Sequence, residues 1–180
     1  MKKIFLISGL VLIIDLVTKL IITSNIELNT SIVIIKNFFS LTYVRNTGAA
    51  FSALSNNTLF LAAISIVILG ILISTLKNKK DYKKLEIIAF GFIIGGAVGN
   101  LINRIFNSYV VDFLDFRIFG HDFAIFNLAD TFIVIGGIIY LIHCLGSEKN
   151  EENNSNGNRE NRHISSKRVR RNKKQNSEAN

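Results

Sequence analysis

Long apolar runs alternate with short polar stretches along the first 146 residues. Four of these runs, residues 4–22, 59–76, 85–105 and 126–145, are apolar on nearly every side. A helix of about 20 mainly apolar residues is long enough to cross the hydrocarbon core of a bilayer. The pattern therefore predicts four transmembrane helices and a mainly α membrane protein.

The composition supports the bilayer as the solvent. Hydrophobic residues make up 49% of the 180 residues and charged residues only 19%, whereas a soluble domain carries about 25% charged residues. This balance argues against an intrinsically disordered protein and against a nucleic-acid-binding module. Cys144 is the only cysteine, which excludes an intramolecular disulfide.

The distribution of basic residues predicts the orientation in the membrane. The connection at residues 77–84 holds five lysines, residues 1–3 hold two, and residues 23–58 contain only two basic side chains. Because short cytoplasmic loops are enriched in Lys and Arg, both termini are expected in the cytoplasm. A cleavable signal peptide is an alternative interpretation of the first run, although that run resumes after Asp15.

The remaining segments are not helical in pattern. Residues 31–35, 38–44 and 109–116 are rich in β-branched and aromatic side chains, which predicts short strands at the outer surface. Residues 147–180 are rich in Asn, Lys, Arg and Ser and cannot build a core, so a disordered basic tail is expected. Attraction to anionic cytoplasmic lipid explains its charge more simply than nucleic acid, and no nucleic-acid partner is expected.

Several polar groups lie inside the predicted spans, where each charge costs roughly 3 kcal/mol on insertion scales. Asp15 and Lys19 are four residues apart on one helix face, which fits either a self-neutralising pair or a catalytic one. Asn100 and Arg104 repeat this spacing in the third span. Before them, glycines recur every four residues from 91 to 99, a spacing that lets a second helix approach closely.

Two aspartates are the candidates for chemistry. Asp130 lies about five residues into the last predicted span, and Asp112 alternates with apolar residues in the last predicted strand. The topology brings both to the same outer border of the membrane, where two close carboxylates would share one proton and provide an acid beside a base. A proton or cation relay is the equally open alternative. Asp115 and Asp122 compete for the same role but fit solvated loop positions.

Five sequence blocks carry a resemblance to a known family. In order along the chain they are Asp15-Leu-Val-Thr-Lys19, Arg45-Asn-Thr-Gly-Ala-Ala-Phe51, Gly95-Gly-Ala-Val-Gly-Asn-Leu-Ile-Asn-Arg104, Val110-Val-Asp-Phe113 and Phe126-Asn-Leu-Ala-Asp130. With them, the chain resembles the lipoprotein signal peptidases (signal peptidase II), membrane aspartyl proteases of bacteria. The resemblance covers nearly everything except the tail.

The resemblance implies a fold, a reaction and a site. It implies a four-span peptidase domain at 1–146 with an outer β-cradle at about 25–56, and a catalytic pair formed by Asp112 and Asp130. It further implies supporting or substrate-binding residues, which are Asp15, Lys19, Asn46, Gly48, Asn100, Arg104 and Asn127. Asn127 lies three residues before Asp130, and the two side chains are expected on the same helical face.

The implied substrate is a bacterial prolipoprotein whose cysteine carries diacylglycerol, cut just before that cysteine in the cell membrane, near its outer face. No metal or organic cofactor is expected. Asn103 and Ala124 depart from the residues usual in the family and put only local geometry in doubt. The main alternative function is a small proton- or cation-coupled transporter, and a non-catalytic membrane scaffold is a third.

Overall fold

The computed structural model describes residues 1–48 and 57–146, so the predicted disordered tail and residues 49–56 lie outside the described residues. The chain divides into two compact units, Met1–Tyr140 and Leu141–Asn180. The fold and the site both belong to the first unit. Of the second unit, the structure describes only the last six residues of the final helix.

Four helices dominate the described chain. They are α1 (Lys2–Asn25), α2 (Thr58–Lys77), α3 (Lys84–Asn107) and α4 (Leu128–Gly146). Each is long and apolar enough to cross a membrane, which confirms the prediction of four spans. The helices extend one to three residues beyond most of the predicted limits because polar residues at their ends continue the helix past the apolar run.

Glycines on α3 set the helix packing. A Cβ atom placed on Gly95 would lie 2.7 Å from Cβ of Val11 and from the carbonyl oxygen of Ser8 on α1. A side chain at Gly96 would instead meet Ile133 and the backbone of α4. The predicted spacing of small residues thus serves close helix contact. Close packing of α3 against α1 makes α1 part of the helix core.

The strands form one antiparallel sheet in the order β1 (Ser31–Ile35), β2 (Phe39–Asn46), β3 (Val110–Ile118) and β4 (His121–Asp122). Three strands were expected. The strand β2 continues two residues beyond the predicted end because Asn46 still pairs with Val110 of β3. The short β4 lacks a β-prone sequence and forms because the turn at Gly120 folds it back onto β3.

A small apolar core joins the sheet to the end of α1. Ile22 in the last turn of that helix and Ile26 directly after it pack against Tyr43 of β2 and against Val111 and Phe113 of β3. This contact fixes which face of β3 turns toward the helices. The opposite face is therefore free to present polar side chains to a site.

Candidate active site

The strand β3 delivers Asp112 to a cavity. Successive residues of a strand point to opposite faces, and here Val111 and Phe113 enter the apolar core while Val110 and Asp112 line a cavity of about 500 Å³. Asp112 is only 2% exposed. The predicted alternation around this aspartate thus matches the structure.

Two amide groups hold the Asp112 carboxylate. Asn46 Nδ2 donates to Oδ2 at 2.8 Å, and Asn127 Nδ2 donates to Oδ1 at 2.6 Å. Burial raises the pKa of Asp112 to about 6, and the negative charge of Asp130 acts in the same direction, while the two amide hydrogen bonds oppose the rise. Asp112 therefore exchanges its proton near neutral pH.

Asp130 lies closer to the start of its helix than predicted. The backbone of Phe126 pairs with Leu114 of β3, so α4 begins only at Leu128 and Asp130 is its third residue. Asn127 precedes the helix and caps it, since its Oδ1 accepts from the backbone N–H of Asp130 at 3.0 Å while Asp130 Oδ2 accepts from the N–H of Asn127 at 3.3 Å. The expectation that Asn127 and Asp130 share a helical face is therefore wrong, and they form a reciprocal cap instead.

The helix cap uses one carboxylate oxygen of Asp130, Oδ2. Its second oxygen, Oδ1, accepts from Asn100 Nδ2 at 2.7 Å, and the half-buried carboxylate lines the same cavity as Asp112. Asn127 donates to both aspartates, through its side chain to Asp112 and through its backbone to Asp130. The structure thus brings together two acids that are 18 residues apart in the sequence.

Asp15 and Lys19 form a buried ion pair with Nζ and Oδ2 at 2.8 Å. Lys19 also donates to Asn100 Oδ1 at 2.9 Å, and Asp15 Oδ1 accepts from the backbone N–H of Ala129 at 3.0 Å. Neither side chain lines the cavity. The pair is therefore linked to the site through Asn100 and through the first turn of α4, and it does not face the cavity itself.

Arg104 and Gly48 complete the predicted set. Arg104 lines the cavity, and its buried Nε has no hydrogen-bond partner in the part of the chain that the structure describes. Gly48 donates its backbone N–H to Asn46 Oδ1 at 2.9 Å, which turns the amide NH₂ of Asn46 toward Asp112. The last three residues of the second sequence block, 49–51, lie outside the described residues.

The competing aspartates lie elsewhere. Asp115 accepts from Thr42 Oγ1 at 2.7 Å, and Asp122 pairs with Arg117 Nε at 2.7 Å on the exposed hairpin. Both line a different, more polar pocket on the sheet. Among the described residues, no group of three or more His, Cys, Asp or Glu side chains is placed to hold a metal ion.

Part of the cavity wall was not predicted from the sequence. Thr131, Val134 and Ile135 line it from α4, and Phe123, Ile125 and Phe126 line it from the segment before that helix. A signal for Val134 was available, because it lies four residues after Asp130 on a helix and therefore on the same face. The two residues that differ from the family pattern lie at or next to the site. Ala124 lines the cavity, and Asn103 Oδ1 accepts from the backbone N–H of Val111, the residue before Asp112.

The chain matches a known protein family over most of its length. Residues 7–146 match a family described as signal peptidase (SPase) II. The chain belongs to the signal peptidase II family. It is 39% identical over 147 residues to the lipoprotein signal peptidase of Staphylococcus aureus (strain bovine RF122 / ET3-1), and the aligned region covers 82% of this chain and 90% of that protein. It is 40% identical over 142 residues to the corresponding protein of Staphylococcus haemolyticus (strain JCSC1435), covering 79% and 90%.

Solved structures agree with this assignment. A bacterial membrane enzyme determined by the in meso method at 2.3 Å superposes with a TM-score of 0.76 and 37% identity, covering 83% of this chain and 92% of that one. A second, at 1.9 Å, gives a TM-score of 0.72 and 38% identity, covering 81% and 94%. This signal peptidase II family member is accordingly a multi-pass bacterial membrane protease, and its family processes lipoproteins.

Proposed function

We propose that the chain is an aspartic endopeptidase that removes signal peptides from diacylglyceryl-modified prolipoproteins, cutting just before the lipidated cysteine. The single observation that carries this proposal is the placement of Asp112 and Asp130 in one cavity with Asn127 bonded to both. Two carboxylates in a poorly hydrated site resist double ionisation, so one keeps a proton. The pair then offers an acid and a base together.

The surroundings of the two aspartates differ, which supports distinct roles. Asp112 is almost fully buried and its pKa of about 6 favours the protonated form in slightly acidic conditions. Asp130 lies in the first turn of α4, where the helix dipole stabilises a negative charge, and it receives two N–H donors. We therefore assign the general acid to Asp112 and the general base to Asp130.

The reaction follows from these roles. Ionised Asp130 takes a proton from a water molecule, whose oxygen attacks the scissile carbonyl carbon, while Asp112 donates its proton to the carbonyl oxygen. The resulting diol collapses as the C–N bond breaks. The proton on Asp130 passes to the leaving amine, and a hydroxyl proton returns to Asp112. The products are a carboxylic acid and an amine, and both aspartates regain their starting protonation states.

The composition of the cavity wall supports a lipidated peptide as the substrate. Polar groups of Asn46, Asn100 and Arg104 surround the aspartates and match the carbonyl and N–H groups of an extended backbone. The buried Nε of Arg104, which has no hydrogen-bond partner among residues 1–48 and 57–146, supplies a donor for such a backbone. Val134 and Ile135 carry the wall along α4 into the membrane-spanning part, and this apolar stretch suits the acyl chains of a diacylglyceryl group.

The placement in the membrane is part of the proposal. The five lysines at residues 77–84, from the last residue of α2 to the first residue of α3, favour a cytoplasmic position for that connection. Both termini would then be cytoplasmic, and the sheet with its cavity would lie at the outer face. Membership of a peptidase family favours hydrolysis over the transport alternative.

The decisive experiment incubates the purified protein in detergent with a lipobox peptide whose cysteine carries diacylglycerol. The expected product pair, identified by mass spectrometry, is a free signal peptide and a fragment that begins with the modified cysteine. The same peptide without the lipid is the control and should be cut far more slowly. A cut at another bond, or equal cleavage of the unlipidated peptide, would contradict the proposed specificity.

A further inference from the structure

The ion pair in α1 is costly for a purely local contact. Asp15 is 0% exposed and Lys19 3% exposed, in a helix that spans the membrane. Removing two charges from water costs more than a mutual contact alone readily returns, unless further hydrogen bonds satisfy them. The additional bonds of this pair both lead toward the proposed catalytic site.

The first bond reaches the amide of Asn100. Asn100 Oδ1 accepts from Lys19 Nζ at 2.9 Å and from Asn127 Nδ2 at 3.2 Å, while Asn100 Nδ2 donates to Asp130 Oδ1 at 2.7 Å. An amide has one accepting and one donating end. Rotating it by half a turn would set its NH₂ group against the ammonium of Lys19 and its oxygen against the carboxylate of Asp130. The ammonium therefore holds the amide in one orientation.

The second bond reaches the start of α4. Asp15 Oδ1 accepts from the N–H of Ala129, the residue directly before Asp130. Gly99 makes this approach possible, because a side chain there would collide with the carboxylate of Asp15. One ion pair thus fixes both the donor that faces Asp130 and the turn of backbone that carries it.

We infer that Lys19 is a positioning residue of the reaction: its ammonium, anchored by Asp15, keeps the amide NH₂ of Asn100 directed at the carboxylate of Asp130. This inference rests on the proposed function. In this role Lys19 contacts neither water nor peptide, and it acts through Asn100. Its contribution stabilises the ionised base, so its loss affects turnover more than substrate binding.

The charge of Lys19 also acts on Asp112. Its positive charge lowers the pKa of Asp112, against the burial and the charge of Asp130 that raise it. Among the described residues, the charge of Arg104 on α3 also interacts with Asp112, and Lys19 itself is paired with Asp15. Removing the ammonium should raise the pKa of Asp112 further. The loss of activity on the alkaline side, where Asp112 gives up its proton, should then move to higher pH.

The test compares variants of the full-length protein in the lipopeptide assay. Lys19→Met leaves a buried carboxylate without its partner and risks misfolding, so the main variant is Asp15→Asn with Lys19→Met. It removes both charges, and Asn at position 15 still offers an oxygen to Ala129. Thr18→Val is the matched control, because among the described residues the Thr18 hydroxyl bonds to the backbone of its own helix and not to the site.

We expect the double variant to lose about 10- to 100-fold in kcat, as for other supporting residues of polar sites, with KM changed less than threefold and the alkaline limb moved to higher pH. The control should keep the kcat and the pH profile of the wild type. When Asn100 is already replaced by Ala, changing positions 15 and 19 should cost little more, because the two effects share one path.

Three outcomes would overturn the inference. These are an unchanged kcat, a loss of activity that only follows the loss of folded protein with the pH profile unmoved, and full additivity with Asn100→Ala. Failure of the proposed function is distinguishable from all of them, since the wild type itself would then leave the lipidated peptide uncut.

Discussion

The pH dependence of stability offers a sharp test of the environment of Asp112. Its pKa in the folded chain, about 6, lies above the ordinary value of 3.8. The folded state therefore binds this proton more tightly than the unfolded state, so the contribution to stability is fully present below about pH 4 and is lost as pH rises through 6. Between pH 5 and pH 8 the loss amounts to about 1.4 kcal/mol.

The perturbation is the substitution Asp112→Asn, which removes the titrating group and keeps its size. The measurement is the free energy of unfolding in detergent, obtained by titration with a denaturing detergent at pH 5 and at pH 8. The wild type should lose about 1.4 kcal/mol more than the variant between these pH values, equivalent to roughly 3–6 °C in Tm. Taking the difference between the two proteins removes the contribution of the groups that the two proteins share.

Asp122→Asn is the control for this experiment. Its carboxylate is exposed and paired with Arg117, which lowers the pKa of Asp122, so its titration lies below the tested range. This variant should keep the pH dependence of the wild type. If Asp112→Asn showed the same pH dependence as the wild type, Asp112 would not be the buried proton carrier, and the assignment of the general acid would be wrong.

Three further predictions concern the frame of the site. Gly99→Ala should destabilise the protein by about 1–3 kcal/mol and reduce cleavage, because the new methyl group meets the carboxylate of Asp15, whereas Gly9→Ala, with open space around it, should change the Tm by less than about 2 °C. Deleting residues 147–180 should leave cleavage within about twofold of the full chain, since all five sequence blocks precede this tail; a complete loss with normal expression would place the tail in substrate recruitment. Asn103→Asp keeps the oxygen that accepts an N–H of β3, so the rate of lipopeptide cleavage should stay within about threefold of the wild type, and a larger loss would show that the amide NH₂ of Asn103 is needed.

The spans were predictable because a bilayer demands long apolar helices and the sequence supplies them with little ambiguity. The glycine spacing on α3 was equally informative about packing. The alternation around Asp112 identified the face on which its side chain lies, since the strand period of two leaves only one choice once Val111 and Phe113 are buried.

The start of α4 was not predictable from hydrophobicity. Phe126 is as apolar as any residue of the span, yet its backbone pairs with Leu114 across the sheet, a long-range contact that no local pattern encodes. A capping signature was present, because Asn127 followed three residues later by an acidic side chain is typical of a helix start. Recognising it would have placed Asp130 in the first turn.

The partners of the polar groups were also beyond the sequence. The i,i+4 spacing of Asp15 and Lys19 indicated an ion pair but gave no sign that Lys19 bonds Asn100, 81 residues away. Likewise, the role of Gly48 in orienting Asn46 depends on a turn geometry that a sequence block does not reveal. Such contacts follow from the tertiary arrangement of the helices and the sheet.

The most direct measurement of the central claim is the turnover of a diacylglyceryl lipobox peptide by Asp112→Asn and by Asp130→Asn, each purified and shown to be folded. Asp115→Asn, on the same strand but bonded to Thr42 and away from the cavity, is the matched control. Loss of a general acid or base lowers the rate about 10²- to 10⁴-fold. The turnover rate of each dyad variant should therefore fall by at least about 10²-fold, while the control keeps most of its activity. Full turnover by either dyad variant would contradict the two-carboxylate mechanism.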